Sequence, residues 1–204
     1  MEKTAEEKMR NFKARRNGTR VVFPARLSYV HLDAPWSGKE GNEPKYSVSA
    51  IIPKEDGQTL MLIREAIQAA YDEGVVKTWK GKRPNMESKN FKFPLKDGDT
   101  DRDTPDPAYA GKMFVGCNAK ADRQPATLTW GKEKIDPKQI YSGCYGLVSV
   151  GFFAFDQGSV GISAGLNAVL KLYDGEPLGG SGDGSHDFDE YEGLDAPMDD
   201  DEDL

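Results

Sequence analysis

The chain has 204 residues and a formal net charge of −7, but its last 24 residues hold eleven of the 34 acids and no Lys or Arg. Residues 1–180 therefore carry 27 bases against 23 acids, a net of +4, so the acidic sum does not exclude a polyanionic partner for the body. No apolar run approaches the roughly 18 residues of a membrane span, the opening MEKTAEE lacks the apolar stretch of a signal peptide, and Cys117 and Cys144 are too few for a disulfide framework.

Residues 1–20 read as a basic N-terminal arm. Its first dozen residues suit a short helix, and a loose segment with Lys13, Arg15, Arg16 and Arg20 follows. Residues 21–32 (VVFPARLSYVHL) predict the first strand, where Pro24 demands an edge or a bulge because it lacks a ladder donor. Residues 33–44 form a loop rich in Pro and Gly. In residues 45–52, Tyr46, Val48, Ala50 and Ile52 alternate onto one face, and Pro53 stops the strand. Residues 59–79 predict the one long helix, because Leu60, Ile63, Ile67 and Ala70 recur at spacings of three and four. Gly74 is expected to weaken or end it. Residues 80–106 show no clear period, and so long an irregular excursion is often a binding loop.

Residues 112–117 predict a short strand and residues 119–142 a second irregular stretch. Residues 145–156 and 160–172 carry the strongest strand patterns, joined by a turn at Gln157 and Gly158. Gly143, Gly146, Gly151, Gly161 and Gly165 sit in or beside these strands and permit sharp bending. The fold class expected is mainly β: an OB-fold-like, curled, five- to six-stranded antiparallel barrel with one inserted α-helix and long loops. The division expected is an arm over residues 1–20, a barrel domain over 21–180, and a disordered acidic tail over 181–204.

Catalytic chemistry finds little support. His31 and His186 are the only histidines, Cys117 and Cys144 form no CxxC, and no phosphate-binding glycine motif is present. The alternating acids of residues 97–106 (DGDTDRDTPD) resemble a calcium loop, but Arg102 stands where the sixth-position Gly belongs and Ala108 where the twelfth-position Glu belongs. A solvated loop folding back on nearby bases is the expectation, with no metal, no cofactor and no catalytic residue.

Single-strand binding has a stronger basis, since it needs cations to track phosphates and rings to stack on bases. Such residues interleave at Lys77, Trp79, Lys80, Lys82, Arg83, Lys89, Phe91, Lys92, Phe93 and Lys96. Arg102, Tyr109, Lys112, Arg123 and Trp130 complete the candidate nucleic-acid site. Trp79, Phe91 and Phe93 have an equally direct reading as core residues. A tethered polyanionic tail could compete with DNA for a cationic groove and, once displaced, recruit basic partners. Its end, Asp199, Asp200, Asp201, Glu202, Asp203 and Leu204, sets an apolar tip beyond an acidic run and is the candidate partner-binding segment.

The segments ARLSYVHLDAP (25–35), EPKYSVSAIIPK (43–54), PLKDGD (94–99), PDPAY (105–109), IDPKQIYSGCYG (135–146) and GISAGLNAVLKLYDGEPLGG (161–180) carry a resemblance across residues 21–180. Together they resemble a family of single-stranded DNA-binding proteins of tailed phages and prophages, formerly a domain of unknown function. That family is similar in turn to the replication single-strand binders of short-tailed phages, which have an OB barrel and an acidic tail ending in an aromatic residue. The resemblance implies binding without sequence preference in phage DNA replication, recombination and repair. It also implies a homodimer, phage or host replication partners reached through the tail, no membrane, and residence in the cytoplasm of an infected or lysogenic bacterium. Leu204 departs from the aromatic tip. Two other readings stay open: a non-enzymatic phage structural or adaptor protein acting through its tail, and a metal-dependent nuclease using the acids of residues 97–106.

Overall fold

Residues 3–38 and 40–179 are described by the computed structural model. In chain order these are α1 (Ala5–Met9), β1 (Arg15–Asn17), β2 (Arg20–Trp36), β3 (Lys45–Pro53), α2 (Gly57–Lys77), β4 (Phe91–Lys92), β5 (Leu95–Asp97), β6 (Lys112–Lys120), β7 (Ala126–Leu128), β8 (Tyr145–Phe155) and β9 (Val160–Tyr173). Two 3-10 turns, Pro107–Tyr109 and Pro137–Gln139, lie before β6 and β8.

Five strands close into a barrel. β2 pairs antiparallel with β3 and with β8, β3 with β6, and β8 with β9. The ring is completed where β6 and β9 meet in parallel, Asn118 opposite Gly165. This is an OB-type barrel as expected, with short strands added to it. To one side of the closing bridge, residues 91–97 thread between β6 and β9: Phe91 pairs with Val160 of β9, and Leu95 with Val115 of β6. The excursion that looked irregular in sequence thus contributes β4 and β5 to the wall.

Period-two alternation fills the barrel. Phe23 and Leu27 of β2, Val48 and Ile52 of β3, Val115 and Cys117 of β6, Val148 and Val150 of β8, and Ile162 and Leu166 of β9 share one buried core. α2 adds Leu60, Ile63, Ala66, Ile67 and Ala70, so its apolar stripe packs into that core as the periodicity predicts. Asp56 caps its start by accepting from the Thr59 N–H at 3.2 Å. Gly74 does not end the helix, which runs on to Lys77. It is a close-approach position: a Cβ there would collide with that of Ala154 on β8. Pro24 faces Leu147 of β8 and occupies the gap on β2 between the last β1 partner, Val22, and the first β3 partner, Arg26.

The N-terminal segment carries the short helix expected in its first dozen residues, while the part expected to be loose is paired as β1. Thr4 and Glu7 form a capping box on α1, Met9 and Ala14 are buried, and β1 pairs with β2. Lys112 Nζ donates to Glu6 Oε1 at 2.7 Å and straps α1 to β6. The hydrogen bond from Lys112 holds the Glu6 carboxyl below its usual range. Cys117 and Cys144 are free and buried, and burial pushes both thiols up. No helix among the described residues is long and apolar enough to cross a membrane.

Candidate nucleic-acid interface

The alternation that turns Tyr46, Val48 and Ala50 inward turns Lys45, Ser47 and Ser49 outward, and it does the same for Gly116, Asn118 and Lys120 on β6. The register sets Ser49 beside Gly116, Ser47 beside Asn118 and Lys45 beside Lys120. On the other flank, β2 sets Ser28 beside Ser49, His31 beside Ser47 and Trp36 beside Lys45. The result is a floor of small polar residues across three strands. At Gly116 the space above the backbone is open, with nothing within 4 Å of where a Cβ would be.

Rings and cations edge this floor. Trp36 is 54% exposed and stacks on His31, with ring centroids 4.4 Å apart and planes 18° from parallel. Tyr29 is 53% exposed. It sits in an irregularity of β2 between the pairs Ser28–Ser49 and His31–Ser47, with φ +47°. A bulge re-aims a side chain, and a non-glycine residue in this region costs about 1–3 kcal/mol, which the surroundings must offset. Lys45, Lys96, Lys120 and Arg123 are exposed at the margins.

The opposite half of the same outer surface is covered. Tyr109 is fully buried against it, donates from its hydroxyl to Ser49 Oγ at 2.9 Å, and meets the Phe114 ring edge-on at 5.1 Å. Burial raises the Tyr109 hydroxyl above its ordinary range. The Arg102 guanidinium lies 3.9 Å from the Tyr109 ring centroid and 5.7 Å from that of Tyr29, and Nη2 donates to the Tyr29 hydroxyl at 3.1 Å. Beyond Tyr109, α1 stands across a cleft from residues of β2 and β3. The cleft has a volume of about 330 Å³, and its lining includes Met9, Arg26, Ile51, Lys112 and Tyr145. The bare floor is therefore bounded on one side by a shelf built from the loop before β6.

The candidates from the sequence fall into separate groups. Trp79, Phe91 and Tyr109 present almost no surface, so none offers a ring face to a base. Trp79 and Phe91 pack together at 6.1 Å at the end of α2, and the Trp79 indole N–H donates to the Phe155 carbonyl at 3.2 Å. Phe93 is half-buried against the core. Lys80, Lys82, Arg83, Lys89 and Lys92 are exposed around that aromatic cluster, and Lys77 is paired with Glu73 at 2.8 Å. Lys96 is exposed and stands beside Phe114 on the outer side of β6, next to the covered half of the surface. Arg102 is only 16% exposed along its side chain, and Lys112 is tied to Glu6. Trp130 is 66% exposed but lies elsewhere, edge-on to Phe12 at 5.6 Å. The segment Asp199, Asp200, Asp201, Glu202, Asp203 and Leu204 lies outside the described residues, as does the whole of 181–204.

Sequence reasoning passed over Tyr29, His31, Trp36, Lys45, Ser47, Gly116, Asn118 and Lys120. The signal available was the outward set of each alternating strand, which in β3 and β6 is small and polar. The acids of the loop before β6 fold back on a base, as expected: Lys54 Nζ contacts Asp97 at 2.7 Å and Asp99 at 2.6 Å. That hydrogen bonding lowers both carboxyls and raises the Lys54 ammonium. Among the described residues no three His, Cys, Asp or Glu side chains are grouped to hold a metal ion.

A closed five-strand barrel with an open small-residue face, edged by rings and cations, defines an OB-fold protein. Residues 19–203 match the family model described as Enterobacter phage Enc34, ssDNA-binding protein, and the chain belongs to that family. It is similar to the single-stranded DNA-binding protein from bacteriophage Enc34 in complex with ssDNA, at 27% identity and a TM-score of 0.67, covering 79% of this chain and 90% of that one. A putative protein p50 of Acyrthosiphon pisum secondary endosymbiont phage 1 is 27% identical over 173 residues, covering 77% of this chain and 84% of that protein. Gp2.5, a single-stranded DNA-binding protein encoded by bacteriophage T7, shares the fold at 15% identity and a TM-score of 0.55, over 87% of this chain and 100% of that one.

Proposed function

We propose that this protein binds single-stranded DNA without sequence preference, along the outer face of β2, β3 and β6. The observation that carries the reading is the open floor of Ser47, Gly116 and Asn118, with Trp36 and Tyr29 on one flank and Lys45, Lys96 and Lys120 at its margins. Family membership points the same way. Bases of any sequence stack on the rings, and the cations meet phosphates, so affinity is salt-dependent and sequence-tolerant. Lys80, Lys82, Arg83, Lys89 and Lys92 form a second exposed basic group, near the end of α2. The work is protection and organisation of exposed strands in replication, recombination and repair of a phage genome, in the host cytoplasm. It uses no catalytic residue and no cofactor.

The tail of residues 181–204 competes with DNA for this face, and its end recruits phage or host replication proteins once displaced. Charge supports this part: eleven acids on the tail against a body of +4. A homodimer is the expected assembly. The test is titration of full-length and 1–180 protein with single- and double-stranded oligonucleotides across a salt series. Strong, salt-dependent single-strand preference that tightens on truncation supports the reading. Unchanged affinity on truncation overturns the competition alone, and absence of DNA affinity in both forms overturns the whole and favours the adaptor reading.

A further inference from the structure

We infer that Arg102 is a positioning residue for DNA binding: it locks the Tyr29 ring at the edge of the floor and does not itself meet phosphate. The inference rests on the interface proposed above. Tyr29 is held in an unusual backbone region within a strand irregularity, so its ring direction depends on what grips it. Nη2 of Arg102 is shared between the Tyr29 hydroxyl at 3.1 Å and Asp106 Oδ2 at 3.3 Å. The guanidinium is stacked on the buried Tyr109 ring, which is itself fastened to Ser49 on the floor. Nε is buried without a partner, and the side chain is 16% exposed.

Those contacts use the cation up. Its charge faces two rings and a carboxylate, and too little of it is open for a phosphate to approach. Tyr29, by contrast, keeps half of its surface open. The chain of contacts runs from the floor (Ser49) through Tyr109 and Arg102 to Tyr29, so a loop 73 residues away in sequence sets the direction of a ring on β2. A base stacked on Tyr29 would lie against a ring already held by a hydrogen bond from Arg102, with less ring freedom to lose on binding.

The two roles separate in a salt series. Arg102→Met and Arg102→Lys are measured beside Tyr29→Ala, the double variant Arg102→Met/Tyr29→Ala, and Lys45→Ala/Lys120→Ala, with melting curves for each. Positioning predicts that Arg102→Met weakens single-strand affinity about five- to tenfold, part of what a stacked base contributes, with an unchanged slope of log affinity against log salt. Arg102→Lys behaves like Arg102→Met, because a point charge reproduces neither the planar stack nor the fork. The double variant binds no worse than Tyr29→Ala alone. A slope shallower by about 0.7, the value of one lost single-strand phosphate contact, rescue by Lys, or additivity with Tyr29→Ala each overturns the inference. If Arg102→Met fails to fold, Arg102→Lys carries the same comparison. Wild-type affinity in both Arg102 variants, with Tyr29→Ala and Lys45→Ala/Lys120→Ala impaired, overturns the inference and leaves the interface standing. Unchanged affinity in Tyr29→Ala and Lys45→Ala/Lys120→Ala overturns both.

Discussion

Replacing Gly116 by Val separates the proposed interface from the fold. Gly116 is exposed in the middle of β6, its φ is not in the left-handed region, and a Cβ there meets nothing within 4 Å. The β-carbon of a valine therefore enters open space. Glycine in a strand interior is about 0.5–1 kcal/mol less favourable than a residue with a side chain, so the variant should equal or exceed the parent in stability. For a chain of this size that is a rise of up to about 2–4 °C in Tm. Yet the new side chain stands on the floor between Ser49 and the open margin, where a base would lie. Displacing one stacked base costs about 1–3 kcal/mol, roughly a 5- to 150-fold loss of affinity. The assay pairs a thermal melt with anisotropy of a labelled oligothymidine. Because no charge changes, the salt slope should stay constant. A variant that melts at or above the parent temperature and binds DNA with parental affinity would refute the placement of DNA on this face.

Two further outcomes follow from the packing. Trp79→Ala removes a buried indole and its hydrogen bond to Phe155, and should cost about 3–5 kcal/mol in chemical denaturation while the folded protein binds DNA within about twofold of wild type; an affinity loss at full stability would return Trp79 to the interface. The Glu6–Lys112 strap should respond to acid: a carboxyl lowered in the fold adds stability that is complete above its unfolded value of about 4.3 and is lost as pH falls through the lowered value. Hydrogen exchange in residues 4–12 should accordingly rise in this acid window before the barrel opens, and Glu6→Gln should abolish that pH dependence; identical profiles for the two proteins would contradict it.

The elements legible in the sequence are those whose patterning is local. Tyr46, Val48, Ala50 and Ile52 alternate, and Leu60, Ile63, Ile67 and Ala70 recur at helical spacing, so β3 and α2 follow from period alone. β4 and β5 are two and three residues long and exist because Phe91 and Leu95 find partners on β9 and β6, which no local window contains. Gly74 illustrates the opposite error, since its propensity argues for a helix end while its packing against Ala154 argues for a helix that continues. The interface was legible as a class of surface and less so by residue. Interleaved Lys and Phe between residues 77 and 96 look alike whether the rings face a strand or the core, and Trp79 and Phe91 turned inward. Tyr29 and Trp36 gave no pattern because the register shifts in β2 break the alternation around them.

The manner of closure has a consequence for the order in which the protein becomes functional. β9 pairs with β8, β6, β7 and β4, so the two ends of the β8–β2–β3–β6 sheet and two short strands share one late partner. A nascent chain that has emerged only as far as β8 holds an open, curling sheet whose exposed edges await residues 160–173. The proposed DNA face then lacks its support at Asn118. A chain cut before β9 is thus expected to bind single-stranded DNA more weakly than residues 1–180, although it keeps β2, β3 and β6.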